Sequence, residues 1–174
     1  YLNFTASHDG IGLRRLEGIL PQPEIESIVS TVQKFGGRLT FRKHSGKDIP
    51  YEINSTFYDA LKGTTRGVDK LQSKRFIASQ MIMIALAGIP AIYLNSFFSA
   101  KNDTYLANKT QNNRSINRSK WNIEDLEATL NDKNSPEYFV FKYLLHALNI
   151  KKKQSAFHPN ATQFTLQLNP GLFG

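Results

Sequence analysis

Cysteine is absent from the 174 residues. Disulfide frameworks and thiolate metal sites are therefore excluded, and the composition fits a reducing cytoplasm, the compartment expected here. A long hydrophobic run is lacking too. The most apolar stretch, residues 81–94, is interrupted by Gly88 and Pro90 and is too short to span a bilayer. No charged segment followed by an apolar run opens the chain, and its first residue is Tyr1. The expectation is a chain that starts partway through a longer protein and has no membrane partner. The four histidines, His8, His44, His146 and His158, have no ligand-like spacing, and no glycine-rich phosphate cradle is present, so no metal site is expected. His146, on an apolar helix pattern, reads as a partly buried structural residue.

What is present is ordinary globular material. Hydrophobic residues make up 40% and charged residues 21%, enough to bury a core at this length. The net charge is +8, with Lys and Arg scattered. The densest run, Lys151-Lys152-Lys153, follows an amphipathic stretch and suits a helix C-terminus better than a nucleic-acid surface. Nucleic acid is not an expected partner, whereas a small anionic substrate fits the charge.

Residues 1–7 read as a buried strand ending in a turn at His8-Asp9-Gly10. Pro21 and Glu24 open a helix, carried by Ile25, Ile28, Val29 and Val32 and stopped at Gly36-Gly37. Residues 38–51 form a basic, polar loop with room for a short strand at 39–42, and residues 62–70 form a polar insert. Helical structure is expected to start within residues 54–61. Residues 75–86 read as a buried helix, 91–98 as a strand, 102–119 as a long polar loop and 123–130 as a short helix. Ser135-Pro136 starts a further helix bearing Phe139, Val140, Tyr143, Leu144 and Leu148. From 156 the pattern changes, and Gln163 to Leu168 alternate like a half-buried strand before a turn at Asn169-Pro170-Gly171. A domain boundary is expected near Lys153.

Three constellations could carry chemistry. Ser7-His8-Asp9-Gly10-Ile11-Gly12 lies past a strand end. A carboxylate beside an imidazole can grip vicinal hydroxyls and face positive charge, although Asp9 could equally cap a turn. Two glycines there would let the backbone turn close to a ligand. Arg114-Ser115-Ile116-Asn117-Arg118 offers planar forks of donors, or a solvated loop arginine. Tyr51-Glu52-Ile53-Asn54 could line an acceptor pocket, or simply begin a helix.

Together these segments resemble one family. The stretch Phe4 to Arg14 containing His8-Asp9-Gly10-Ile11-Gly12 is similar to the fourth conserved region of the α-amylase superfamily, glycoside hydrolase family 13. More narrowly it is similar to that of the sucrose phosphorylase subfamily. Tyr51-Glu52-Ile53-Asn54-Ser55-Thr56-Phe57-Tyr58-Asp59-Ala60-Leu61 resembles that subfamily's acceptor-side loop and the helix after it. Gly88-Ile89-Pro90-Ala91-Ile92-Tyr93 resembles its last barrel strand, and Arg114-Ser115-Ile116-Asn117-Arg118 a loop beyond it.

The resemblance implies an α/β fold. Residues 1–153 would be the C-terminal portion of a catalytic (β/α)8 TIM barrel, with an insert at about 10–70. Residues 154–174 would start a small antiparallel β domain. It implies a retaining glucoside phosphorylase that passes a glucosyl group through a covalent enzyme intermediate to inorganic phosphate as co-substrate, with no cofactor. Asp9 would stabilise the transition state, and His8 and Arg114 would hold glucose. Tyr51 and Glu52 would face the acceptor or phosphate. The family's nucleophile Asp and acid Glu match no segment here, so this chain alone is expected to be inactive and to need the rest of the barrel. Glu52 and Gly12-Leu13-Arg14 lean toward relatives acting on glucosylglycerate or glucosylglycerol, although Arg15 stands where a Pro is common. The alternatives are a hydrolase or transglucosidase of the same fold, or a non-catalytic carbohydrate-binding fragment.

Overall fold

Two short segments that are far apart in sequence meet as parallel neighbours. Strand β1 (Leu2–Asn3) pairs with β7 (Ile89–Pro90), Leu2 facing Ile89 and Asn3 facing Pro90. The Ala91 N–H donates to the Asn3 carbonyl at 2.7 Å and prolongs the ladder. These positions belong to a computed structural model that describes residues 1–169, 172 and 173.

Between the two segments the chain builds its own small layer. Strand β2 (Ile11–Gly12) follows the His8-Asp9-Gly10 turn. Helix α1 (Gln22–Lys34) has Pro23 in its first turn, where a missing N–H costs nothing, and Glu24 beside the N-terminal dipole. It ends where Gly36 adopts a φ of 91°. Strands β3 (Arg38–His44) and β4 (Lys47–Asn54) form a hairpin, and β2 adds to the other edge of β4. Ile25, Val29 and Val32 of α1 pack on Leu13 and Ile53 to close this layer.

The second layer is helical. Helix α2 (Phe57–Ala60) is capped by Thr56, whose Oγ1 accepts the Asp59 N–H at 3.1 Å. Strands β5 (Gly63–Thr64) and β6 (Gly67–Val68) make a small hairpin before α3 (Gln72–Ala85). After β7 come α4 (Leu94–Phe97), α5 (Thr104–Thr110), a 3-10 turn at Asn113–Asn117 and α6 (Ile123–Asn131). Helix α7 (Pro136–Lys153) starts at the Ser135 cap and carries Lys151, Lys152 and Lys153 in the last turn, where they complement the carbonyl end. Phe76, Met83 and Ile84 of α3 interlock with Val140, Leu144 and Ala147 of α7, with Tyr58 alongside. Beyond α7, β8 (Gln167–Asn169) and β9 (Leu172–Phe173) pair antiparallel.

Several sequence expectations change. The strand expected at 1–7 is confined to Leu2–Asn3, and the one expected at 91–98 lies earlier, at Ile89–Pro90. The apolar run after it bends into the helical turn α4. The loop at 38–51 is a full hairpin, and Tyr51 and Glu52 sit on its second strand rather than at a helix start. Residues 102–119 hold α5 and the 3-10 turn instead of a structureless loop. Helix α3 is buried on one face only, since Ile82 is 62% exposed. His146 is exposed rather than partly buried, because Leu144, Ala147 and Leu148 of its turn face the core and it lies on the other side of the helix. The alternating strand expected over 163–168 is confined to Gln167–Asn169, and its turn lies partly outside the described residues. No described helix is long and apolar enough to cross a membrane.

Candidate active site

The turn after β1 is held closed by its own backbone. Ser7 and Gly10 exchange N–H to carbonyl bonds of 3.2 Å in both directions, and the Ser7 hydroxyl accepts the Asp9 N–H at 3.2 Å. Gly10 is required here. Its φ is 130°, and a Cβ would lie 2.2 Å from the Ile53 carbonyl oxygen on β4. Gly12 is different, because a Cβ there would meet open space. Of the two glycines expected to serve the turn, only Gly10 is needed for it.

This turn presents the Asp9 carboxylate to three partners. Oδ1 lies 2.7 Å from Arg118 Nη2 and 3.2 Å from His8 Nε2, and Oδ2 lies 3.5 Å from Arg114 Nη1. Arg114 in turn forks onto Glu52, with Nε to Oε1 at 3.2 Å and Nη2 to Oε2 at 2.9 Å. The hydrogen bonds and then the charge of Glu52 raise the Arg114 pKa further above its ordinary range, so the fork stays cationic. Glu52 is buried at 5% exposure, whereas Asp9 keeps 30% of its side chain open and His8 keeps 62%. One arginine thus bridges a buried carboxylate and a half-open one.

The arginine loop is fixed from below. Asn117 donates to the Ser7 carbonyl at 2.6 Å, and Arg118 Nε donates to the His8 carbonyl at 3.3 Å. The Tyr93 hydroxyl donates to the Asn117 carbonyl at 2.9 Å. The Asn95 amide reaches the Asn117 and Ser119 carbonyls, and the Trp121 indole N–H closes on Asn95 Oδ1 at 2.9 Å. Burial pushes the Tyr93 hydroxyl pKa up despite the Arg118 charge nearby, which keeps it a neutral donor.

An open cleft of about 710 Å³ runs from this cluster along β1. Asp9, Gly12, Arg14, Arg15, Tyr51 and Glu52 line its polar end, and Leu2, Phe4, Ile82 and Leu86 its apolar end. All five residues singled out in the sequence, His8, Asp9, Tyr51, Glu52 and Arg114, therefore lie at or beside one site. Arg118 and Asn54 belong with them; both stand in the named motifs but were given no role of their own. The four-residue spacing from Arg114 to Arg118 is the signal for the first. For Asn54 no sequence signal exists, since a buried amide looks like any turn residue. Among the described residues no group of three or more His, Cys, Asp or Glu could hold a metal ion. A fixed carboxylate, an exposed imidazole and two guanidinium groups suit a polyhydroxylated, charge-developing substrate.

No family model matches the chain. Glucosylglycerate phosphorylase of Escherichia coli (strain K12) is 35% identical over 167 residues, covering 95% of this chain and 30% of its own length. Glucosylglycerate phosphorylase of Spirochaeta thermophila is 34% identical over 174 residues, covering 99% of this chain and 29% of its own. The solved structure of sucrose 6F-phosphate phosphorylase from Thermoanaerobacter thermosaccharolyticum shares the fold at a TM-score of 0.71. It is 24% identical and covers 86% of this chain and 29% of its own. The chain thus spans about three tenths of the length of the curated relatives it matches.

Proposed function

This chain belongs to the family of the glucosylglycerate and sucrose phosphorylases, and from that premise we propose that it is the C-terminal portion of a retaining α-glucoside phosphorylase. The whole enzyme is a (β/α)8 barrel of the α-amylase superfamily. Residues 1–153 complete the barrel and residues from 154 begin a small β domain. The observation that carries the reading is the Asp9 carboxylate, fixed after β1 by Arg118 and Arg114 at the head of an open cleft. Catalytic side chains of such barrels stand where strands end.

In this reading a carboxylate nucleophile and a carboxylic acid come from barrel segments outside the span of this chain. The nucleophile displaces the leaving group from the anomeric carbon while the acid protonates the departing oxygen, and phosphate then attacks the glucosyl-enzyme. Asp9 faces the positive charge that builds at the anomeric carbon, and the two guanidiniums keep its oxygens from turning away. His8 binds glucose hydroxyls. Arg114 holds the carboxylates in register and offers its edge to the sugar. Tyr51 and Glu52 form the acceptor side. Arg14 and Arg15 line the same cleft without an ion pair among the described residues. Their charge suits phosphate, or an acidic acceptor of the glycerate kind named in the first relatives. The chemistry needs no cofactor, and a chain without cysteine suits the cytoplasm.

Steady-state phosphorolysis by the full-length enzyme tests this. Asp9→Asn should lower kcat by on the order of 10²-fold or more with a smaller change in KM, since its partner charge exists only in the transition state. Near-normal kcat in a folded Asp9→Asn enzyme refutes the assignment. Glucose release independent of phosphate would make the enzyme a hydrolase instead. The 174-residue chain by itself should give no turnover.

A further inference from the structure

Asn54 ends β4 two residues beyond Glu52 and is completely buried. Its amide nitrogen donates to the Asp9 main-chain carbonyl at 3.0 Å and to Glu52 Oε1. Its amide oxygen accepts the Thr40 hydroxyl at 2.7 Å. An asparagine has two N–H donors and one carbonyl. Here each donor goes to a different carboxylate-bearing segment. Because the Asp9 carbonyl and the Glu52 carboxylate can only accept, they decide which end of the amide is the donor, while the Thr40 hydroxyl donates to the other end. The segments approach too closely for a side chain at Gly10, whose added Cβ would also lie 3.2 Å from Asn54 Cα. The amide is thus the tie between the Asp9 turn and the strand that bears Glu52.

We propose that Asn54 is a positioning residue for glucosyl transfer, a clamp that fixes the separation of the Asp9 and Glu52 carboxylates across Arg114. The proposal rests on the role given to Asp9 above. Aspartate is a short side chain, so its carboxylate goes where its main chain is held. Releasing the Asp9 carbonyl frees the turn. Releasing Glu52 Oε1 leaves that buried carboxylate to Arg114 alone and draws the guanidinium from Asp9. A displacement of about 1 Å at a reacting centre is enough to lose about 10²-fold in rate. Asn54 itself touches no substrate in this reading, so the loss falls mainly on kcat.

Asn54→Asp in the full-length enzyme keeps the shape and removes the donors. The introduced carboxyl meets Glu52, with Tyr51 on the same strand, Arg114 and Arg118 on the arginine loop, and His8 and Asp9 on the turn. Two carboxylates in contact share one proton. Protonated, the new group donates one of the lost hydrogen bonds; ionised, it repels Glu52. Relative to wild type at the same pH, the kcat of the variant should therefore be least reduced at the acid end, where one of the two ties is restored. It should fall further, to a loss on the order of 10²-fold, as pH rises through loss of the shared proton. KM for the glucosyl donor should move by less than about threefold. Thr40→Val should lower kcat by about tenfold, from loss of one orienting hydrogen bond, with no new alkaline limb.

A pH profile of Asn54→Asp that superimposes on the wild type overturns the proposal. If Asn54→Asp does not fold, Thr40→Val decides: reduced kcat at an unchanged melting temperature supports the clamp, and a reduced melting temperature at unchanged kcat overturns it. Asp9→Asn is measured in parallel. If it collapses kcat while the Asn54 and Thr40 variants behave as wild type, the clamp fails and the functional reading stands. If Asp9→Asn is itself inert, the functional reading fails first.

Discussion

Helix α1 lays Ile25, Val29 and Val32 onto Leu13 and Ile53 of a three-stranded sheet and leaves none of these five open to water. The β1–β7 pair has two strands of two residues each, and around it Leu2, Phe4, Ile82 and Ile89 are 62%, 55%, 62% and 55% exposed. The two regions have similar apolar content but opposite burial. A parallel pair this short has no means of covering both of its faces or its outer edges, and parallel sheets are stable when helices cover them. In the barrel reading, these exposed positions are the ones that neighbouring strands cover. In that reading the cleft is two surfaces in one: a polar head that serves the chemistry and an apolar floor that the rest of the barrel covers.

Substitutions on the two faces of α3 separate closed from open most strongly. Phe76 is fully buried, with ring centroids of Tyr58 and Phe57 at 5.4 and 5.9 Å. Phe76→Ala should cost about 3–5 kcal/mol, in this chain or in the whole enzyme, as lost burial plus a cavity. Ile82→Ala should cost less than about 0.5 kcal/mol in the 174-residue chain, as at any exposed site, but about 2 kcal/mol or more in the whole enzyme if barrel strands cover it. Urea denaturation of both variants in both lengths gives the answer. An equal Ile82→Ala cost in the two lengths would break the comparison.

The two glycines of the His8-Asp9-Gly10-Ile11-Gly12 turn sharpen it on a smaller scale. Gly10→Ala forces a side chain into a φ of 130° and against the Ile53 carbonyl, which should cost about 1–3 kcal/mol and lower turnover by moving Asp9. Gly12→Ala points into open space and should cost less than about 1 kcal/mol. Melting temperatures and kcat of the pair, measured side by side, check this. Equal damage from both would mean that the turn does not lean on β4.

The helices were legible because their ends carry chemistry. Ser135-Pro136 and Pro21 to Glu24 mark starts that the structure places within a residue or two. The strand allowed at 39–42 lies within β3, but the hairpin's second strand was missed because the segment is polar, with Lys43 and Lys47 exposed. Its signal was Ser45-Gly46, both at positive φ (51° and 77°), a two-residue turn flanked by paired strands. The run after Pro90 was misread because a short apolar stretch suits strand and buried helical turn alike. The site was legible through residue types that carry charge. Asn54 and Thr40 were not, because their work consists of hydrogen bonds between segments that only the fold brings together.

The smallest effect concerns a second arginine–carboxylate pair, in which the carboxylate is part-exposed where Glu52 is buried. Arg75 Nη2 lies 2.6 Å from Asp69 Oδ2, and Asp69 Oδ1 accepts the Leu71 N–H at 2.8 Å, tying the loop before α3 to the helix. The Leu71 N–H first, and Arg75 second, lower the Asp69 pKa below the ordinary 3.8. The folded carboxyl therefore holds its proton less tightly than the unfolded one. Its contribution to stability is present above about 3.8 and is lost as pH falls through the folded value. Asp69→Asn should leave a small, constant stability gap at neutral pH that closes as pH drops below that value. Salt should narrow the gap, because a third of the Asp69 side chain and a quarter of the Arg75 side chain stay open to water. Glu52→Gln should respond less to salt, since the Glu52 carboxylate keeps only 7% of its side chain open. Thermal melts from pH 2 to pH 7 at low and high salt compare the two. An Asp69→Asn gap that persists undiminished at pH 2 would show that the loop is held by its shape and not by its charge.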